Sequence, residues 1–145
     1  DVAVPLYFLL NQDKDVGVVP ISHSHEGVKE HVEFGKFLHH LLMDTDKRVA
    51  IISSGDLSHK VTKDAPDGYS PKGKVFDQEV HDFVAKGKLL EVLKIKPKLI
   101  KAASQCGLNS IAVLAGALEH LTYKVEVLSY EAPFGVGYLV AHIEV

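Results

Sequence analysis

Residues 48–59 read Arg-Val-Ala-Ile-Ile-Ser-Ser-Gly-Asp-Leu-Ser-His, and they decide the fold that the sequence predicts. Residues 49–52 form a short run of small and β-branched apolar residues, which is typical of a strand buried on both faces in a parallel sheet. The run stops in polar residues and Gly55, a change that favours a loop. Because open α/β sheets bind ligands beyond the carboxyl ends of their strands, we expect any active site to lie around His59.

Composition limits the classes to which the protein can belong. The chain has 145 residues, 46% hydrophobic and 24% charged, which predicts a single globular domain spanning residues 1–145. A formal charge of −3 gives no basic surface, so we expect no nucleic-acid partner. No apolar run reaches the length of a membrane-spanning helix, so we expect no membrane association. The one cysteine is compatible with a reducing compartment, and a cytoplasmic location is the expectation.

The remaining chain alternates between strand and helix patterns. A second buried strand is predicted at residues 16–22, and the closing residues 123–130 and 136–144 predict a hairpin. Helices are predicted at residues 4–10, 27–43, 74–86, 89–95, 97–104 and 110–121. The fold class is therefore predicted as α/β, with a mostly parallel buried sheet flanked by helices and a C-terminal β-hairpin.

Two histidines follow the second predicted strand. A strand, a helix and a further strand imply a right-handed crossover, which places His23 and His25 on the same sheet edge as His59. Two interpretations of this pair stay open. They are solvated loop residues, or they bind a metal and, together with His59, support a metal-dependent hydrolase. The histidines on the predicted helices, including His31, are interpreted as surface residues.

Four stretches, taken together and in order, resemble the LigB-like class III extradiol ring-cleavage dioxygenases, and within them the branch of Memo-like and LigB-like proteins. Residues 4–9, Val-Pro-Leu-Tyr-Phe-Leu, also fit this family. The stretches are Ser-Ser-Gly-Asp-Leu-Ser-His (53–59), Ala-Pro-Asp-Gly-Tyr-Ser-Pro-Lys-Gly-Lys-Val-Phe-Asp (65–77), Gln-Cys-Gly-Leu-Asn-Ser-Ile-Ala-Val-Leu-Ala-Gly-Ala (105–117) and Tyr-Glu-Ala-Pro-Phe-Gly-Val-Gly-Tyr-Leu-Val-Ala (130–141).

The resemblance implies a three-layer fold and an oxidoreductase that inserts dioxygen into an aromatic diol. The family holds non-haem Fe(II) with two histidines and one carboxylate. His59 matches the acid/base residue, with Asp56 either orienting its imidazole or stabilising a turn. The third metal ligand falls at Gln105 or Cys106, where Cys106 is either a thiolate ligand or a small buried residue. Tyr69 either lines the substrate pocket or anchors its loop.

The sequence departs from the family in two respects. Gln105 stands where relatives have a carboxylate, and the two metal-binding histidines of the family lie upstream of the segment resembling residues 4–9. The chain, which opens Asp-Val-Ala-Val-Pro, is therefore expected to be the C-terminal portion of the domain, inactive alone and without bound metal. We expect a partner domain or a second copy to cover the exposed sheet. The alternative is a non-catalytic, Memo-like protein-binding domain.

Overall fold

A computed structural model describes residues 3–10 and 15–145 of the chain. Most predicted helices and the closing hairpin are confirmed, whereas the predicted end of the first helix, at residues 11–15, lies mostly outside the described residues. The segment at residues 89–95 forms a 3₁₀ helix. The elements are α1 (Ala3–Leu10), α2 (Val28–Met43), α3 (Pro71–Ala85), the 3₁₀ helix (Leu89–Lys94), α4 (Pro97–Ala103), α5 (Leu108–Ala117), β1 (Lys124–Glu131) and β2 (Tyr138–Glu144).

The prediction of a mostly parallel buried sheet is wrong. In the described part of the chain the sheet consists of β1 and β2, which pair antiparallel. Residues 16–22 and 49–52 lie outside any strand, and Val49 and Ile52 are 53% and 47% exposed. A strand is buried on both faces only where neighbouring strands and covering helices are present. The composition of the apolar run does not show whether those neighbours exist. The structure is a set of helices packed with one antiparallel hairpin.

The hydrophobic core lies between α3, α5 and the 3₁₀ helix. Phe76 and Val80 of α3 are fully buried, as are Leu89 of the 3₁₀ helix and Leu108 of α5. The apolar positions of α3 recur at helical spacing, which directs one face inward. Ser70 begins α3 because its hydroxyl accepts a hydrogen bond from the Lys72 backbone N–H, and Pro71 suits the first turn. No described helix combines the length and the apolar character that crossing a membrane would require.

Helices α2 and α5 cross at a pair of glycines. A Cβ on Gly35 would lie 2.1 Å from the carbonyl oxygen of Val113, and one on Gly116 would lie 2.1 Å from that of Val32. Only glycine permits two helix backbones to approach so closely. This crossing fixes α5, and therefore the residues that precede it, against α2.

His31 corrects the interpretation of the helix histidines as surface residues. Its side chain is buried, with Nδ1 2.7 Å from the Gly27 carbonyl oxygen and Nε2 accepting from the Ser24 backbone N–H at 3.2 Å. Both ring nitrogens are used by the local backbone at the start of α2. The residue therefore joins α2 to the segment before it, a packing role that helical spacing alone did not distinguish from exposure.

Candidate functional site

The loop that carries His59 is held on two sides by backbone hydrogen bonds. Towards the hairpin, Leu57 N–H donates to Gly137 O and Val61 N–H donates to Gly135 O, both at 2.9 Å. Towards the end of α4, His59 N–H donates to Ala103 O at 3.1 Å. Residues 57–61 are therefore held between the end of α4 and the turn of the hairpin.

Three potential ligand side chains converge at this loop. His59 Nε2 lies 3.4 Å from Asp56 Oδ2 and 3.8 Å from Cys106 Sγ. The donor atoms of the three residues all lie within 4.8 Å of one another, and each residue is partly exposed. The sequence separates Cys106 from the other two by about 50 residues, so the fold creates this cluster.

Backbone contacts hold the Cys106 segment against the Asp56 loop. The N–H groups of Cys106 and Gly107 donate to Asp56 O at 3.2 and 2.8 Å, and Asp56 N–H points to Cys106 Sγ at 3.2 Å. Gly55 and Gly107 allow this approach, because a Cβ on Gly55 would lie 2.5 Å from Gly107 Cα. The main chains of the two segments are thus held against each other, which brings Cys106 beside Asp56.

The other edge of the His59 ring faces Asp67, from the long loop before α3. His59 Nδ1 lies 3.7 Å from Asp67 Oδ2, and the Ser104 hydroxyl donates to the same carboxylate oxygen. The Ser104 hydroxyl lowers the pKa of Asp67, and the nearby His59 contributes in the same direction. Asp67 is therefore ionised at neutral pH and faces the Nδ1 edge of the His59 ring.

Ser104 occupies an unusual backbone conformation at the end of α4. Its φ of 52° and ψ of 56° are left-handed, a region that a residue other than glycine adopts at a cost of about 1 kcal/mol or more. The conformation ends α4 and turns the chain towards Cys106. It also brings the Ser104 hydroxyl to Asp67. The strained residue therefore joins the helix end to the site.

A buried carboxylate lies directly behind the site. Asp77 of α3 is 1% exposed, and its Oδ1 accepts from the Ser58 backbone N–H at 2.8 Å. Its Oδ2 accepts from the Tyr130 hydroxyl at 2.7 Å. Burial raises the pKa of Asp77, while Tyr130 and Ser58 oppose that shift by donating to the carboxylate.

Only some of the predicted site residues lie together in the structure. It brings His59, Asp56 and Cys106 together. The Gln105 side chain accepts from Leu108 N–H at 2.7 Å and so caps α5, and Tyr69 is 53% exposed. Exposed His23 and His25 are not part of the cluster; the His23 ring lies 6.2 Å from that of His31.

Sequence reasoning missed Asp67, Ser104, Asp77 and Tyr130. Three of them stand inside stretches quoted above for the family resemblance, at 65–77 and 130–141, so the resemblance contained a signal for them. Ser104 had none, since a serine at a helix end is common. Their partners become visible only when the loop, α3 and β1 are placed together.

The cluster has suitable donors for a divalent metal. Protein nitrogen, oxygen and sulfur ligands bind such ions at about 2.0 to 2.3 Å, so two ligands of one tetrahedral ion lie about 3.5 Å apart. The separations of 3.4 and 3.8 Å measured from His59 Nε2 agree with that spacing. The described residues therefore fit a metal, although with one imidazole, one carboxylate and one thiol in place of two imidazoles and a carboxylate.

Comparison with known proteins assigns the family. The sequence model of the catalytic LigB subunit of aromatic ring-opening dioxygenase matches residues 2–141. Protein CA_C1420 of Clostridium acetobutylicum is 38% identical over 141 residues, which cover 97% of this chain. The match spans 30% of the length of that relative, whose name states no activity. The family match extends over nearly the entire chain and includes every residue of the cluster around His59, so the protein belongs to the LigB family of aromatic ring-opening dioxygenase catalytic subunits.

Proposed function

We propose that the protein serves in the metal-dependent, extradiol-type opening of an aromatic diol by dioxygen. The observation that carries the proposal is the convergence of Asp56, His59 and Cys106 within a chain of the LigB family. The extradiol position of cleavage and the use of Fe(II) are drawn from the resemblance of residues 53–59 and 105–117 to that family. Activity is proposed for the complete natural polypeptide that carries this chain.

Of the three donors in the cluster, we assign Cys106 to the metal, and His59 and Asp56 to proton transfer beside it. Its sulfur lies at the start of α5 and is fixed by the main-chain contacts to Asp56. A bound Fe(II) would supply a redox-active centre for the reaction of dioxygen with the diol. A thiolate in place of a carboxylate makes the donor set softer, so zinc or copper are the competing occupants of the site.

His59 is proposed as the acid/base residue. Its ring is partly exposed, its Nε2 faces Asp56 and Cys106, and its Nδ1 faces Asp67. In this orientation Nε2 can take the proton of a substrate hydroxyl placed beside the metal and can return a proton later. Asp56 lies beside Nε2, where an ionised carboxylate stabilises the protonated imidazole.

The test combines metal analysis with oxygen uptake. The complete polypeptide is purified anaerobically, loaded with Fe(II) and assayed with catechol-type diols, in parallel with His59→Gln and Cys106→Ala. We expect His59→Gln to keep its metal and to lose about 100- to 10,000-fold in oxygen uptake, the usual contribution of acid/base catalysis. Cys106→Ala is expected to lose metal.

His142→Gln is the matched control, because His142 is exposed on β2. Its metal content and oxygen uptake should equal those of the unmodified protein. Metal binding without oxygen uptake from any diol would refute the dioxygenase proposal. Absence of metal from the complete polypeptide would do the same and would favour a Memo-like binding domain.

A further inference from the structure

The N–H groups of residues 57–61 are all hydrogen-bonded, and one of them is bonded in a distinctive way. Leu57, His59 and Val61 donate to backbone carbonyl oxygens, and Lys60 donates to the Ser58 hydroxyl within the same run. Ser58 N–H alone among the five donates to a side chain from another element, the Asp77 carboxylate at 2.8 Å. The Ser58 N–H, one residue before His59, therefore depends on one buried acid for its acceptor.

The Asp77 carboxylate is itself held by neighbouring groups. The Tyr130 hydroxyl donates to Oδ2 at 2.7 Å from β1, close to the bulge at Val127/Ser129. Gly137 borders the same oxygen so closely that a Cβ there would lie 2.0 Å from Oδ2. Asp77 thus has two hydrogen-bond donors, and Gly137 packs directly against its Oδ2.

Packing alone does not account for an acid at this position. A carboxylate that is 1% exposed loses its hydration, and burial raises the pKa of Asp77 for that reason. Apolar side chains of similar volume are often as stabilising as buried ionic groups, or more so. An apolar residue, however, would leave the buried Ser58 N–H without an acceptor, one residue from His59.

We propose that Asp77 is a positioning residue for His59, acting through the Ser58 N–H and held in place by the Tyr130 hydroxyl. The inference rests on the proposed role of His59 but concerns the orientation of its ring. Because the Ser58 side chain also donates to Ala103 O at 2.8 Å, the same residue ties α3 and the end of α4 to the loop. The hairpin, through Tyr130, thereby supports a site that it does not itself enter.

The experiment measures the His59 imidazole directly by long-range ¹H–¹⁵N NMR in the metal-free protein. The variants are Asp77→Ala, Asp77→Asn and Tyr130→Phe. Tyr138→Phe is the control. Tyr130 and Tyr138 are both in the hairpin and both 38% exposed, but the Tyr138 hydroxyl has no hydrogen bond with the described residues. His59→Gln assigns the signals.

We expect one set of His59 ring signals in the unmodified protein and in Tyr138→Phe. Asp77→Ala should shift and broaden them into a mixture of tautomers and orientations. Asp77→Asn should restore most of the original pattern because its carbonyl oxygen still accepts from Ser58 N–H. Tyr130→Phe should give a smaller shift in the same direction.

Unchanged His59 signals in folded Asp77→Ala would overturn the proposal. If that variant does not fold, Tyr130→Phe decides, and signals identical to those of Tyr138→Phe would overturn it equally. A restored stability in Asp77→Asn without restored ring signals would show a structural role only. The NMR result requires neither metal nor turnover, so an inactive protein with the expected ring signals would refute the proposed dioxygenase while leaving Asp77 as the positioning residue.

Discussion

Asp67 and His59 face each other across 3.7 Å, from Oδ2 to Nδ1, on the edge of the imidazole opposite Asp56 and Cys106. The two edges of the ring therefore face different groups, with Nδ1 towards Asp67 and Nε2 towards Asp56 and Cys106. Ser104 holds the Asp67 carboxylate by donating its hydroxyl. A loop residue and a strained helix end together determine which nitrogen of His59 faces the candidate metal position.

Asp67→Asn should lower activity while the fold is retained. An amide removes the negative charge that faces Nδ1 but keeps the size of the side chain. We expect oxygen uptake by the complete, Fe(II)-loaded polypeptide to fall about 10- to 100-fold, the loss typical of partners that orient a functional imidazole. Steady-state oxygen-electrode assays measure this change.

Asp64→Asn is the control for this prediction. Asp64 lies in the same loop, is exposed, and makes no hydrogen bond or ion pair with the described residues. Equal activities of the two asparagine variants would show that Asp67 does not orient the ring.

The crossing of α2 and α5 predicts a large effect of a single methyl group. Gly35→Ala and Gly116→Ala place a Cβ 2.1 Å from a backbone oxygen of the opposite helix, and a backbone cannot move aside as a flexible side chain can. Overpacking should therefore outweigh the helix propensity gained, and each variant should lose about 1 to 3 kcal/mol in free energy of unfolding. Urea unfolding followed by circular dichroism measures the loss.

Gly17→Ala is the matched control, since nothing lies within 4 Å of a Cβ at Gly17. Its unfolding midpoint should stay within error of the original. A Gly35→Ala variant as stable as Gly17→Ala would contradict the close approach of the two helices.

The buried acid predicts a dependence of stability on pH. Burial raises the pKa of Asp77 in the folded state above the unfolded value of 3.8. Its contribution to stability is therefore fully present below pH 3.8 and is lost as the pH rises through the raised pKa. The amide side chain introduced by Asp77→Asn does not titrate. The free energy of unfolding of this variant, relative to that of the original protein, should therefore increase over the same pH range. The increase should be about 1.4 kcal/mol for each unit that separates the folded and unfolded pKa values of Asp77.

Urea unfolding of both proteins at several pH values from 4 to 8 measures that difference, and the titrating groups that do not interact with Asp77 cancel in the comparison. Tyr130 and His59 act on Asp77 in the opposite direction, by hydrogen bonding and by charge respectively. A difference that does not change with pH, or that changes with the opposite sign, would show that the two hydrogen bonds outweigh burial.

The sequence predicted the elements whose pattern is local. The apolar spacing of α2 and α3 and the β-branched arms of the hairpin indicated those elements, because side chains in them repeat with the backbone period. The strand predicted at residues 49–52 is wrong. An apolar run indicates that a segment favours apolar contacts, but not whether neighbouring strands are present to provide them. Burial of a strand is a property of the sheet around it.

The site was predictable only in part for the same reason. His59, Asp56 and Cys106 were indicated by the family resemblance, and the structure shows them close together. Asp67 and Asp77 were not singled out, because a single acid in a loop or helix gives no periodic signal. Their roles follow from partners 37 and 53 residues away, Ser104 and Tyr130.

Gly55 provides the last test, of how closely the Asp56 loop must approach Cys106. A Cβ on Gly55 would lie 2.5 Å from Gly107 Cα and 3.1 Å from Cys106 O, so Gly55→Ala should push the two segments apart. Displacement of a functional group by about 1 Å can cost about 100-fold in rate, and we expect a loss of that order in oxygen uptake together with weaker metal binding. Gly55 also has a φ of +154°, which adds strain to any other residue.

Gly68→Ala separates strain from contact. Gly68 has a φ of +79°, yet nothing lies within 4 Å of its Cβ position, so alanine there adds backbone strain of about 1 kcal/mol without moving the cluster. Both variants should lose stability in thermal unfolding, but only Gly55→Ala should lose metal and activity at a temperature where both are folded. Equal metal affinity in the two would mean that the contact between Gly55 and Gly107 does not determine the position of Cys106.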